Sequence, residues 1–260
     1  MKRMNTFLAC VVAVLVVGLP AVAQDATAAT PPPASKPADQ STPSSQSSGS
    51  SPQSKTGIEH VLSQMDKAAS TFRTAQADFI WDQYQKVVNE HDIQKGKVYF
   101  RRQGQEIQMA ADITEPAKKY LLFSGGKVQV YQPGINQITE YNVAKNRAEL
   151  ESFLVLGFGG SGRDLLKQYE VKYLGTEEAG GVNAEKLQLI PKSVKVRNNV
   201  ERILLWIDPA RGVSVQQQFF EPSGDHRLTK YSNIELNQKI PDNVFKIKTD
   251  GKTKVVSPQS

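Results

Sequence analysis

Apolar positions along this chain follow two periods. Ile58, Val61, Leu62, Met65, Ala69 and Phe72 are spaced three and four apart, which predicts an amphipathic helix whose stripe needs a surface to cover. Thr56-Gly57-Ile58-Glu59 has the form of a capping box, so the helix is expected to open at Thr56. Alternation then takes over, with candidate strands at 77–88, 93–102, 106–113, 119–124, 128–132 and 137–141. Helical spacing returns over 144–156 through Leu150, Phe153 and Leu154, stops at a glycine-rich loop, and resumes at 163–168. A second alternating block covers 169–174, 184–191, 202–208, 213–221 and 227–236, with a short last segment at 244–248.

The breaks between strands carry chain-reversing residues, among them Gln103-Gly104, Glu115-Pro116, Gly125-Gly126, Pro133-Gly134 and the Pro-early, Gly-late stretches 208–212 and 221–225. Neighbouring strands this close together must pair antiparallel. Ten or eleven such strands exceed what one flat twisted sheet holds comfortably. The fold class that follows is mainly β (α+β), a curved antiparallel sheet with helices on one face and the other face wet.

The first 55 residues obey neither period. Lys2 and Arg3, the apolar run Phe7 to Leu19 and the small-x-small ending Ala21-Val22-Ala23 have the layout of a signal peptide over 1–23. Cys10 is the single cysteine and precedes most of the apolar run, which argues against lipidation there and leaves the mature chain without disulfides. The 24–55 stretch of Pro, Ser, Ala, Thr and Gln has no aromatic residue and reads as a disordered tether. The domain is expected over 56–249, with a flexible tail over 250–260. Of the formal charge of +6, Lys2 and Arg3 supply two, and the remaining mild, interleaved excess gives no nucleic-acid signature.

Candidate chemistry is sparse. Gly157-Phe158-Gly159-Gly160-Ser161-Gly162 contains G-x-G-x-x-G, but it follows a helical stretch where a dinucleotide site requires a parallel strand, so a hinge between two helical pieces is the better reading. His60, His91 and His226 fall on a helix, a turn and a turn edge, with no metal-ligand spacing. Ser161 and Ser223 lack the nucleophile-elbow pattern. No catalytic residue, metal or cofactor is expected.

Three stretches together resemble one family. Gly96-Lys97-Val98-Tyr99-Phe100-Arg101-Arg102, then Leu121-Leu122-Phe123-Ser124-Gly125-Gly126-Lys127-Val128-Gln129-Val130-Tyr131-Gln132-Pro133, then Leu187-Gln188-Leu189-Ile190-Pro191-Lys192, are similar in order and spacing to the outer-membrane lipoprotein carrier LolA family. The chain departs from that pattern at Gln103, where the family has Pro, and at Ile107-Gln108-Met109, where it has aromatic-x-Trp. The resemblance implies an unclosed half-barrel of about eleven strands whose helices form a lid over a hydrophobic cavity. Phe79, Trp81, Ile107, Met109, Leu121, Phe123, Val130, Phe153, Leu154 and Trp206 are then candidates to line the cavity. It implies that Arg101 or Arg102 locks the lid, and it makes Gly157, Gly159, Gly160 and Gly162 candidates for the lid hinge. It further implies a monomeric periplasmic carrier of acylated lipoproteins, served by the inner-membrane ABC transporter LolCDE and an outer-membrane receptor LolB or its equivalent. A lipid- or lipoprotein-binding sensor domain, or a carrier of another lipid, are alternatives on the same fold.

Overall fold

The computed structural model describes residues 52–104 and 106–258. The expected signal peptide, Cys10 and the tether up to residue 51 lie outside these residues. Helix α1 (Pro52–Thr71) begins one turn earlier than the capping-box pattern predicts, with a proline at its first position, where the missing N–H costs nothing. Thr56 to Glu59 therefore sit inside the helix, and residues 52–55, expected as the end of the tether, are helical.

Among the described residues, twelve strands form one sheet. The first six are β1 (Thr74–Gln85), β2 (Glu90–Gln103), β3 (Glu106–Glu115), β4 (Lys119–Ser124), β5 (Lys127–Gln132) and β6 (Gln137–Asn142). Helices α2 (Arg147–Leu154) and α3 (Gly162–Gln168) interrupt the strands. Then come β7 (Tyr169–Ala179), β8 (Val182–Pro191), a single-turn helix α4 (Val194–Arg197), β9 (Arg202–Asp208), β10 (Val213–Phe220), β11 (His226–Leu236) and β12 (Lys254–Val256). The order across the sheet is β12-β6-β5-β4-β3-β2-β1-β11-β10-β9-β8-β7, open at both ends. Two meanders are thus joined where β1 meets β11, with Phe79 opposite Tyr231 and Gln83 opposite Arg227.

Register shifts interrupt β1·β11, β2·β3, β9·β10 and β7·β8, and each such bulge bends its strand and raises local twist. At the β2·β3 bulge a Cβ on Gly96 would lie 2.1 Å from the Asp112 carbonyl oxygen, so only glycine permits the two backbones to approach there.

Two expectations for the C-terminus are corrected. The stretch 244–248 is not a strand: Asp242–Phe245 is a 3-10 turn. The tail expected to be flexible contains β12, which pairs in parallel with β6 and brings the sheet to twelve strands. Side-chain bonds on Asn136 hold it there, from Thr253 Oγ1 at 2.9 Å and to Asp250 at 3.0 Å. A three-residue strand of Lys and Val carries too little pattern to register as alternation.

The inner face holds most of the core. On one half, α1 places Val61, Leu62 and Met65 on Leu187, Leu189, Ile203, Leu205 and Ile207. On the other, Phe79, Val98, Phe100, Met109, Leu121, Phe123 and Val130 pack beneath Leu150 and Phe158. The outer face is not uniformly wet. Leu204, Trp206 and Val215 form one buried patch there. Ile240 and Phe245 cover Ala110 and Leu122 in another, so the chain after β11 is a strap across β2–β4.

Candidate functional site

Helix α2 lies over the half of the sheet that α1 does not reach. Leu150 is its one buried residue among those described, and Phe153 and Leu154 are half-buried. Between these three side chains and the sheet is a cavity of about 100 Å³, walled by Trp81, Val98, Phe100 and Met109 from β1–β3, by Val200, and by Gln217, Phe219, Arg227, Thr229 and Tyr231 from β10 and β11. The wall residues on strands follow from alternation: Trp81 shares parity with Phe79, whose ring centre is 4.4 Å away, and Arg227, Thr229 and Tyr231 are every second residue of β11.

A second opening of about 400 Å³ lies between the glycine-rich loop, α3 and the β2–β3 turn, and its walls include Glu151, Ser152, Asp164 and Gln168. Carboxylates and amides make that cleft unsuited to an apolar chain. The smaller, mainly apolar cavity is the candidate site.

Of the expected lining residues, Trp81, Met109, Phe153 and Leu154 face the cavity. Phe79, Leu121, Phe123 and Val130 belong to the packed core around it. Ile107 faces the polar cleft together with Arg102, Gly157, Gly159 and Gly160. Trp206 is on the opposite face of the sheet, under the Lys186 ammonium at 4.7 Å. The segment Arg202 to Asp208 is apolar on both parities, so periodicity cannot assign its faces.

The two arginines point to opposite faces, as adjacent strand residues must. Arg102 donates from Nη2 to the Gly159 carbonyl at 2.8 Å. Arg101 donates to Gln108 Oε1 from Nε and Nη2 at 3.0 and 2.8 Å, pairs with Asp242, and stacks over Phe245 at 4.2 Å. Arg102 thus holds the glycine-rich loop, and Arg101 holds the C-terminal strap.

Every one of the four loop glycines sits against a neighbour. A Cβ on Gly157 would lie 2.3 Å from Ser214 Cβ, on Gly159 2.4 Å from the Phe72 ring, on Gly160 2.8 Å from the Val155 carbonyl, and on Gly162 2.5 Å from the Leu62 carbonyl. Gly157 and Gly159 also have φ of +85° and +87°. The loop is bonded to β10, since Ser214 N–H donates to Gly157 O at 2.8 Å and Gln217 Nε2 donates to Leu156 O at 2.5 Å. Close packing accounts for these glycines without a hinge. Ser161 caps α3, accepting from Asp164 N–H at 3.1 Å.

Sequence reading passes over Phe158, although it is only 1% exposed. Its ring stacks on Phe100 at 5.2 Å and meets Tyr231 edge-on at 4.8 Å, so it backs two residues of the cavity wall. An aromatic residue between two glycines that both need positive φ was the available signal. The polar wall of β11 was also missed, where Arg and Thr occupy positions whose parity points inward. His91 lies on β2 and not in a turn, His226 is the first residue of β11 at the edge of its turn, and the two flank Tyr84 with ring centres at 5.0 and 4.8 Å. No group of three or more His, Cys, Asp or Glu side chains among the described residues is arranged to hold a metal ion.

No curated protein matches the chain significantly. Among solved structures, LprF from Mycobacterium bovis is similar, at 14% identity over 72% of this chain and 97% of that one, with a TM-score of 0.45. So are a putative outer membrane lipoprotein-sorting protein domain from Vibrio parahaemolyticus (12%, 74% and 97%, TM-score 0.41) and the Pseudomonas aeruginosa MucA/MucB complex (11%, 74% and 61%, TM-score 0.45). The family model for the outer membrane lipoprotein carrier protein LolA matches residues 70–248, a span that takes in the whole sheet but β12, both helices over the glycine-rich loop and the strap, and the chain belongs to that family.

Proposed function

We propose that this protein is a periplasmic carrier that binds the acyl chains of lipoproteins in the cavity under α2 and moves them from the inner to the outer membrane. In this reading it accepts cargo from the inner-membrane transporter LolCDE and delivers it to LolB or an equivalent receptor. The observation that carries the reading is an apolar cavity under a short, weakly buried helix in a chain of this family. No helix among the described residues is long and apolar enough to cross a membrane.

The energetics suit the task. Each methylene taken from water contributes about 0.8 kcal/mol, so a multi-chain anchor crossing an aqueous space costs tens of kcal/mol unless it is covered. A cavity of about 100 Å³ has room for on the order of eight non-hydrogen atoms, at about 10–15 Å³ per water-sized occupant. Loading such an anchor therefore requires α2 to move off the sheet. Its polar attachments suit displacement: Glu149 to Lys195 at 3.0 Å and Arg147 to Glu106 at 3.7 Å are surface ion pairs. The Arg102 bond to the glycine-rich loop is the latch in this reading, and Arg101 has no part in it. Binding and release are assigned, with no catalytic step.

The test is to purify the full protein from its native host, identify co-purifying acylated species by mass spectrometry, and incubate it with inner-membrane vesicles. Acylated cargo and release of lipoproteins into the soluble fraction are expected. Absence of both would defeat the carrier reading.

A further inference from the structure

The wall of the cavity contains a charge that the carriage of neutral acyl chains does not use. Arg227 lines the cavity with its guanidinium 5.2 Å from the centre of the Phe219 ring and 6.0 Å from that of Trp81. Its Nη1 is buried and has no hydrogen-bond partner. Among the described residues no carboxylate is within ion-pair distance of it. Burial holds its pKa below the ordinary value, against the opposing pull of Tyr231 and Glu221.

A desolvated cation whose nearest acidic influence, Glu221, stays beyond ion-pair distance is only partly compensated, and aromatic faces offset only part of that cost. Two of the neighbouring polar groups are already engaged: the Gln217 amide donates to Leu156 O, and the Tyr231 hydroxyl is 3.5 Å from Gln217 Oε1. Gln83, opposite Arg227 on β1, is itself buried with an unpartnered Oε1. Arg227 is therefore the open donor of the cavity, at the end of an apolar wall.

We propose that the cavity takes an anionic amphiphile, an acyl chain ending in a carboxylate or phosphate, whose head group sits on Arg227 while its chain lies against Trp81, Phe100 and Phe153. This rests on the reading of the cavity as an acyl-chain site and adds the sign and place of the head group. A guanidinium suits both head groups because its planar fork donates two parallel hydrogen bonds to either. The room available matches part of one chain better than several.

Calorimetric titration of the full chain with laurate, dodecyl phosphate and methyl laurate tests it. At least one of the two anions is expected to bind about tenfold or more tighter than the neutral ester, the scale of a hydrogen bond to a charged group. Whichever anion is preferred identifies the head group, and Arg227→Met should shrink the ratio of anion to ester affinity to about twofold or less. Equal binding of the ester and both anions by the unaltered protein would overturn the proposal and leave the acyl-chain reading standing. Binding of none of the three would overturn both. The comparison of ligands on the unaltered protein decides the matter even where Arg227→Met does not fold.

Discussion

The two halves of the inner face are covered by different means. Over β7–β10 lies α1, a 20-residue helix whose stripe meets Leu187, Leu189, Ile203, Leu205 and Ile207, all five with no exposed surface. Over β1–β3 and the adjoining parts of β10 and β11 lies α2, eight residues long, with Leu150 buried and the glycine-rich loop beside it. Helix length sets how many apolar side chains reach the sheet: five turns supply a continuous ridge, whereas two turns supply three contacts and leave a gap. The cavity is where the cover is too short to fill the concavity beneath it.

The largest test of this contrast is a pair of core truncations. Leu205→Ala removes a fully enclosed side chain and is expected to cost about 4 kcal/mol, in the upper part of the range for such changes. Met109→Ala, at the cavity wall, is expected to cost about 2 kcal/mol, because a side chain that borders free space gives up fewer packing contacts. Urea unfolding of both variants, compared at equal slope, measures the difference. Equal losses would mean that the two halves are packed alike.

The same contrast explains what was legible beforehand. Eleven strands and the helices that interrupt them follow from alternation, turn residues and spacing, because β1–β11 each carry enough residues to express a period. The cavity walls were half legible. Trp81 and Met109 lie on strands with one clear apolar parity, whereas Trp206 lies on β9, where both parities are apolar and only tertiary packing decides the face. Arg101 and Arg102 were left undistinguished because Gln103 stands where the family pattern has Pro, although the parity of the buried Val98 and Phe100 on β2 already puts Arg102 on the inner face. The loop glycines signalled a special backbone, but the cause, close approach of Phe72, Ser214 and Leu62, comes from residues distant in sequence. Arg227 was invisible as a cavity residue, since a cation on a strand reads as solvent-facing until the opposite wall is known.

The arginine pair gives a sharper, smaller test. Arg102→Met removes the bond to Gly159 O and is expected to cost about 1 kcal/mol, since the side chain is exposed. The informative readout is amide hydrogen exchange, which should speed up at Phe158 and Gly160 in the loop and stay unchanged in the strap. Arg101→Met should do the reverse, loosening 240–247, where Asp242 and Phe245 lose their partner. Faster exchange of both segments in either variant would mean that the two faces are coupled through β2 and not held independently.

The smallest effect concerns the charge beside that loop. Asp164, in the first turn of α3, is held below the usual carboxylate range by hydrogen bonds from Lys167 and Ser161. Because its folded pKa is lower than its unfolded one, it favours the folded state at pH above about 3.9, and that contribution is lost as pH falls through the folded value. Asp164→Asn keeps the polar shape and removes the titration. Its thermal midpoint should lie slightly below that of the unaltered protein at neutral pH, and the two should converge under acid conditions. Because Asp164 borders the polar cleft and not the acyl cavity, methyl laurate affinity should be the same in both proteins at neutral pH. A drop in that affinity would tie the polar cleft to the cavity, and the sealed and open halves would then no longer act as separate units.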